Sequence, residues 1–574
     1  MRRICAAALT LIACSAFADE TSDLRNARAV FEENIRAIHQ RDRAKYLSLY
    51  LHDPKLIRTG PTGFATGYED FAKGAGSEWP DTLEATDMRL TPVRPGIVYG
   101  SYRYRVRYGA NESSGISERL FVETPDGWKI ALTGAVGTEG VPPSPRAIRG
   151  ATLIDGRGGA PVTDANVVVR DGKIECAGAG CAIPAGIDVV DAKGMFVTPG
   201  LVDTHVHFSQ SGWVDGRPDA VDVRATHPYE KTIGELRSDP ARFARSYLCS
   251  GVTGVFDVAG YPWTLELHEQ ADSSWPHVVA TGPGLSSIDH WLNLPAEKQL
   301  LFAATADAAR SNVRYLASAG AKAIKVWYVQ DQPEALAAAG EEAAAAKLPL
   351  IVHATELARA KAALRAGARL LVHSVWDAPV DDELIALATR NGAIVSPTLT
   401  VLGGYARVFE HALARTAPPI DDPNRCVDPA TRAKVASTAT LPVDAQQQPA
   451  RAARNAERTR VASENLRRLV AAGIPIATGT DAGNPLTLHG PAIYAEMDAM
   501  QRAGMTPMQV IVASTATAAR AARLDGVTGT IEPGKAADLL ILTADPSKDV
   551  ANFRKLRSVM RGGVIRGVEE LSAM

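Results

Sequence analysis

Pro199-Gly200-Leu201-Val202-Asp203-Thr204-His205-Val206-His207-Phe208 is the stretch on which the reading of this chain turns. A short apolar run that opens after a Pro-Gly break and ends in His-x-His reads as a buried β-strand. Strand side chains alternate, so His205 and His207 leave the same face and one strand end delivers two imidazoles to one place. His-x-His alone is common and decides little. Four further apolar runs, however, also end in a metal-ligand residue type: Lys325 in GAKAIKVWY, His353 in PLIVHAT, His373 in RLLVHSV and Asp481 in PIATGTDAG. Six such side chains just beyond strand ends match the place where a parallel α/β barrel builds its active site.

The spacing supports the same fold. Lys325 to His353 is 28 residues and His353 to His373 is 20, each about one strand-plus-helix unit. Strand-like runs at Val252–Val258, Val278–Thr281, Ala323–Val329, Leu350–His353, Leu370–His373, Ile394–Ser396 and Ile474–Thr478 alternate with helical stretches such as Glu334–Lys347. Repeated β-then-α units predict a parallel sheet, and about eight of them a closed barrel. His373 to Asp481 is 108 residues, room for two units and an insertion, visible as the polar, Pro-containing stretch from about 414 to 462. That insertion predicts a lid or an exposed helical excursion on the catalytic face.

Lys325 is the most informative of the six. A protonated amine repels a divalent cation, but burial disfavours the charged form and lowers the pKa from its ordinary ~10.4. A neutral amine can add CO2, and the resulting carbamate is an anion able to bridge two ions. The alternative is a lysine that reaches solvent or pairs with a carboxylate. Asp481 lies in Thr478-Gly479-Thr480-Asp481-Ala482-Gly483, whose glycines let the backbone turn tightly. A carboxylate there is placed to carry protons, and is the expected catalytic residue.

The 574-residue chain is too long for one domain, and its net charge of −2 gives no reason to expect nucleic acid as a partner. No apolar run reaches the ~18 residues of a spanning helix. Arg2-Arg3, the apolar run 4–13 and Ala16-Phe17-Ala18 read as an export signal covering 1–18, so a periplasmic or secreted protein is expected. A competing cut at Leu11-Ile12-Ala13-Cys14 would leave a lipid anchor on Cys14. Of the six cysteines, four lie beyond Ala18. Cys176 and Cys181 flank a small turn and either form a local disulfide or stay free.

Residues 19–140 read as a separate α+β unit. Leu24, Ala27, Phe31, Ile35 and Ile38 recur at helical spacing, and Tyr102, Tyr104, Val106 and Tyr108 alternate with arginines as a two-faced strand. Helices first, then strands ending in DGWKIA, resemble the NTF2-like (ketosteroid-isomerase-like) fold, with an accessory or dimerisation role implied. After the stiff linker at 141–145, short strand patterns up to 198 and again over 526–574 predict a small composite β-sandwich flanking a barrel over 199–525. The expected architecture is α/β: a (β/α)8 TIM-type barrel, a β-sandwich built from both flanks, and an NTF2-like unit before them.

Over about residues 146–570 the motifs PGLVDTHVHF, GVTGVFDVAG, GAKAIKVW, VHAT, VHSV, SPTLT, ATGTDAG with His489-Gly490, AGMTPMQVI and GTIEPGKAADLLIL resemble the amidohydrolase superfamily, near its imidazolonepropionase-like and Xaa-Pro dipeptidase-like branch. The resemblance implies two divalent ions, with zinc the expected metal. His205, His207, Lys325 and Asp481 would hold one and Lys325, His353 and His373 the other, with a carbamate on Lys325. It implies hydrolysis of an amide of the dipeptide or N-acyl amino acid type, or of a carboxylic ester, by a metal-bridging hydroxide with Asp481 as proton shuttle. Where dipeptidase-like relatives carry Gly-Gly-His, this chain has Ser286-Ser287-Ile288-Asp289-His290-Trp291. His290 is the expected substrate contact, with Tyr328 a second, and Tyr261 and Trp263 further candidates for the pocket wall.

Two rival chemistries use the same frame. His353-Ala-Thr-Glu356 has the spacing of one-metal deaminases and cyclic-amide hydrolases, which would use Glu356 as shuttle. A phosphotriesterase or lactonase would use the same two-metal site. The expected partner is a small-molecule substrate, and a homo-oligomer is compatible with the sequence.

Overall fold

The computed structural model describes residues 4–60, 63–76, 78–109, 111–137, 145–269, 272–289, 292–443 and 448–573. The chain divides into two compact units, Met1–Ser144 and Pro145–Met574. In the first, a helix spans Ile4–His39, and the expected leader is its first half apart from residues 1–3, which lie outside the described residues. No helix among the described residues is long and apolar enough to cross a membrane. A six-stranded sheet runs in the order 63–66, 57–60, 127–137, 111–124, 97–108, 82–94. The stripe Leu24, Ala27, Phe31 and Ile35 packs with Tyr102, Phe121 and Ile130 of this sheet. The alternating strand keeps its charged face in salt bridges (Arg103 with Asp87, Arg105 with Glu84), while Tyr102 is buried and Tyr108 exposed.

The second unit holds an eight-stranded sheet to which both flanks contribute. Phe196–Pro199 pairs antiparallel with Leu539–Leu542 and parallel with Arg146–Leu153, bringing the two ends of this unit together. Ile148, Val167, Val197, Leu539, Ile541 and Met560 fill its core. Cys176 and Cys181 are joined as a disulfide, which settles the alternative left open by their spacing.

Between the flanks, nine parallel strands run among the described residues, and seven of them match the expected pattern: β1 (Leu201–Val206), β2 (Val252–Asp257), β3 (His277–Ala280), β4 (Ile324–Trp327), β5 (Leu350–His353), β6 (Leu370–Val372) and β7 (Ile394–Ser396). Strands β1, β2 and β3 form one sheet. Strands β4 to β7 form another, extended beyond β4 by two short parallel strands, Gly284–Ser286 and Leu300–Phe302, which have no counterpart in the expected pattern. Every residue of β1 and β2 is buried, which explains why these strands read as continuous apolar runs rather than alternating ones. The expected strand at 474–478 is instead an extended segment tied on both sides. Ala477 N–H donates to Val395 C=O (2.9 Å), and Thr204 N–H donates to Thr478 C=O (3.0 Å). Between the two sheets, Lys322 N–H donates to Ala280 C=O at 3.1 Å.

Helix α1 (Ala241–Cys249) leads into β2, the alanine-rich α2 (Pro333–Ala345) follows β4, and α3 (Gln448–Ala471) begins within the insertion. The insertion is not an exposed excursion. Val427, Val435 and Leu441 join Trp213, Phe409 and Leu488 in one apolar cluster. Lys434 Nζ meets the Asp215 carboxylate at 2.8 Å, and a disulfide links Cys426 to Cys249 at the end of α1. Polar composition misled here because large apolar residues of the segment, among them Val427, Val435 and Leu441, face inward.

Candidate metal centre

At the end of β1 the backbone is clamped to the segment bearing Asp481. Asp481 N–H donates to His205 C=O and His207 N–H to Ala482 C=O, both at 2.8 Å. Gly483 makes this approach possible: its φ is +106°, and a Cβ there would stand 2.7 Å from the His207 carbonyl oxygen. The clamp points three side chains at one another. His207 Nε2 lies 2.8 Å and His205 Nε2 3.4 Å from Asp481 Oδ1. Burial pushes the Asp481 carboxyl up, but the imidazoles of His205, His207 and His373 outweigh it and hold it well below the usual carboxylate range.

The other expected ligands stand alongside. The ring centroid of His373 lies 4.9 Å from that of His205 and 4.4 Å from that of His353. His373 Nδ1 shares a 2.6 Å hydrogen bond with Thr398 Oγ1, which fixes the ring's orientation. Burial first, then neighbouring positive groups, hold His205 and His353 well below the ordinary imidazole value, and burial brings His373 down to about 4. Neutral imidazoles are the form that binds a cation. Lys325, 3 % exposed, has its pKa lowered to about 7 by burial, against an opposing pull from Asp481. Among the described residues its Nζ has no hydrogen-bond partner. Both His373 (φ +73°) and Asp481 (φ +64°) sit in the left-handed region, a conformation uncommon outside glycine. Two such residues in one cluster fit a functional site that stores strain.

This donor set suits a divalent ion. Two imidazole nitrogens and a carboxylate oxygen, all buried, lie within 4.8 Å of one another. An amine that is buried, unpartnered and easily neutralised lies in the same pocket.

All six residues line a single cavity of about 510 Å3, whose wall also includes Trp327, Trp376, Tyr405 and Arg217. Glu356 lines it too, with Oε1 bound to Arg359 Nη1 at 2.9 Å. Tyr328 does not. Alternation along β4 turns Lys325, Trp327 and Val329 toward the cavity and Val326 and Tyr328 away from it. The Tyr328 hydroxyl accepts instead from Gln332 N–H at 3.0 Å, so the expected substrate contact faces α2. Tyr261 and Trp263 are likewise buried in the core rather than on the cavity wall. His290 and Trp291 lie outside the described residues. His489 is spoken for: Nε2 meets Gln210 C=O at 2.9 Å, Nδ1 meets the Tyr247 hydroxyl at 2.8 Å, and its ring stacks 3.8 Å from that of Phe243.

Sequence reasoning passed over Asp203. It is 1 % exposed and its carboxylate accepts from Thr480 N–H (3.0 Å), Thr480 Oγ1–H (2.6 Å) and His205 N–H (3.2 Å), bracing β1 against the Asp481 segment. Burial raises its pKa to about 7. Its position two residues before His205, on the same strand face, was the available signal.

Comparison with known proteins agrees with this geometry. The amidohydrolase family's sequence profile matches residues 196–566. Ochratoxinase from Aspergillus niger is 26% identical over 443 residues, covering 70% of this chain and 82% of the ochratoxinase. Imidazolonepropionase from Mycolicibacterium smegmatis is 35% identical over 114 residues, 18% of this chain and 29% of that enzyme. Among solved structures, a Xaa-Pro dipeptidase with methionine bound in its active site superposes with a TM-score of 0.57 at 22% identity, over 74% of this chain and 100% of the dipeptidase. A. niger ochratoxinase superposes at 0.55 and 24% identity, over 74% of this chain and 95% of its own. With a family match that spans 196–566, more than half of its length, the chain belongs to the amidohydrolase family.

Proposed function

We propose that the protein is a binuclear metal-dependent hydrolase that cleaves an amide of the dipeptide or N-acyl amino acid type, or a carboxylic ester. The observation that carries this is the convergence of His205, His207 and Asp481 beside a buried, unpartnered Lys325 and the His353–His373 pair. His205, His207 and Asp481 would hold one ion, His353 and His373 the other, with a carbamate on Lys325 between them. Zinc suits a set dominated by imidazole. Such ions polarise a carbonyl and lower the pKa of water from 15.7 toward about 7.

The chain's own groups supply the rest. Asp481 takes a proton from the attacking water at its carboxylate and passes it to the leaving nitrogen or oxygen. Thr398 keeps the His373 ring in place, and Asp203 keeps β1 in register with Asp481. Trp327 and Trp376 exclude water from the substrate.

The scaffold we propose is a closed (β/α)8 barrel in which the segment 474–481 is the eighth strand. The Lys322–Ala280, Ala477–Val395 and Thr204–Thr478 backbone bonds support closure at each place where the sheets are interrupted. The flanking composite sheet would be its β-sandwich and the first unit an NTF2-like accessory domain. The leader pattern over 1–18 supports an exported protein, with acylation at Cys14 as the alternative.

The one-metal reading through Glu356 is disfavoured by its 2.9 Å ion pair to Arg359 and by a side chain 45% exposed, which leaves the carboxylate engaged and open to solvent. The test is metal counting by plasma emission together with a substrate panel of dipeptides, N-acyl amino acids, esters, lactones and phosphotriesters. About two ions per chain and amide or ester turnover are expected. One ion per chain with deamination, or turnover confined to lactones or phosphotriesters, overturns the proposal.

A further inference from the structure

Helix α3 carries six arginines, and they divide into two kinds. Arg460 pairs with Glu457 at 2.7 Å, while Arg467 and Arg468 both pair with Glu464. Arg451, Arg454 and Arg458 recur at i, i+3 and i+7, so they share one helix face, and all three line the cavity that holds the His–Asp cluster. Among the described residues none of these three forms an ion pair with a carboxylate, whereas the other arginines of the cavity do: Arg217 with Asp219 at 2.7 Å, Arg359 with Asp331 at 3.0 Å and with Glu356 at 2.9 Å. Two of the unpaired three also rest against aromatic rings. The Arg451 guanidinium lies 4.1 Å from the Phe409 ring centroid, and that of Arg458 lies 5.3 Å from the Trp376 ring. The Trp376 ring in turn lies 6.4 Å from His373. A guanidinium held over an aromatic ring by its charge keeps N–H donors with which it can bind a carboxylate through two parallel bonds. Burial, then the like charge of Arg454, holds Arg458 below the ordinary arginine value, and the opposing pull of Glu356 does not offset them.

We propose that the Arg451–Arg454–Arg458 face of α3 determines specificity by binding a carboxylate on the substrate at a distance from the scissile bond. This rests on the amide-hydrolase reading above and narrows it: neutral amides of the same shape are poor substrates. Trp376 is the side chain that neighbours both groups, 6.4 Å from the His373 ring and 5.3 Å from the Arg458 guanidinium, so a substrate reaching from the His cluster to the arginines passes its ring.

The test compares N-acetyl-6-aminohexanoate with N-acetyl-6-aminohexanol, in which a hydroxymethyl group replaces a carboxylate five carbons from the scissile nitrogen. Both are assayed on the metal-loaded full chain and on Arg454→Gln/Arg458→Gln. Arg460→Gln, on the same helix and facing away, controls for loss of surface charge. In the wild type, kcat/KM for the acid exceeds that for the alcohol by at least about tenfold, the worth of one charge-assisted contact. The double variant abolishes that gap by lowering the acid alone, and Arg460→Gln leaves it intact. An equal kcat/KM for both compounds in the wild type, or a gap that survives the double variant, overturns the inference while leaving amide hydrolysis standing. If neither compound is cleaved, this amide activity falls and titration calorimetry with the same two compounds decides the inference. Tighter binding of the acid that the double variant removes supports it. Equal affinities, or no binding of the acid at millimolar concentration, overturn it.

Discussion

His207 Nε2 and Asp481 Oδ1 lie 2.8 Å apart although 274 residues separate them in the chain. The contact exists because backbone bonds on both sides of it register β1 against the Asp481 segment. Replacing Asp481 by Asn therefore changes chemistry more than shape, since Asn also tolerates the positive φ that Asp481 adopts. Asp481→Asn is expected to keep its metal content and lose about 10²–10⁴-fold in kcat, the usual worth of a positioned proton carrier. Plasma emission and steady-state assays check both halves, and a variant within threefold of wild type would refute the shuttle role.

Lys325 gives a pH dependence with a definite sign. Burial lowers its pKa to about 7, so the amine is mostly neutral at pH 8 and mostly protonated at pH 6, where CO2 cannot add. Apoenzyme given a divalent metal and bicarbonate should regain activity several times faster at pH 8 than at pH 6. Lys325→Ala should regain none at either pH unless a short carboxylic acid is supplied to replace the carbamate. Equal reactivation rates at the two pH values would contradict the carbamate.

Tyr328 and Trp327 are neighbours with opposite fates. Tyr328→Phe should leave kcat/KM within about twofold while lowering stability by roughly 1 kcal/mol, because Gln332 N–H loses its acceptor. Trp327→Ala should lower kcat/KM by about tenfold or more, in line with the 1–3 kcal/mol of a lost pocket contact. Paired kinetics and chemical denaturation check this, and a kinetic loss in the Tyr328 variant would reverse the assignment of strand faces.

Glu496 is fully buried and accepts from Leu399 N–H, Thr400 N–H and Thr400 Oγ1–H, yet burial still raises its pKa from 4.5 to about 7. A folded-state value above the unfolded one stabilises fully below about pH 4.5, and that contribution is lost as pH rises through 7. The stability of the wild type relative to Glu496→Gln should therefore decline between pH 5 and pH 8, by up to about 3 kcal/mol. The difference between the two proteins is the proper readout, because His373 and His489, whose values are lowered to about 4 and 3, shift total stability in the opposite sense. A flat difference would show that the carboxylate is already ionised at pH 5.

Most of the strands and the six side chains that share the cavity were readable in the sequence because their signals are local: an apolar run, its length and the residue that ends it. What escaped depends on contacts made across the fold. Asp203 and Glu496 gain their roles only from Thr480 and Thr400, which lie far away in the chain. The split of the α3 arginines depends on which face of the helix meets the cavity. Tyr328 was misplaced by counting residues from Lys325 without keeping the parity of the strand. The pairing of Cys249 with Cys426 was beyond reach, because nothing near either cysteine indicates its partner.

That bond closes a hoop of 177 residues of sequence separation. Lys325, His353 and His373 lie inside the hoop, and His205, His207 and Asp481 lie outside it. A protease that severs one peptide bond between 250 and 425 would therefore release no fragment, and both triads would stay in one covalent molecule. Such a nick would show on a denaturing gel only after a thiol reductant opened the hoop.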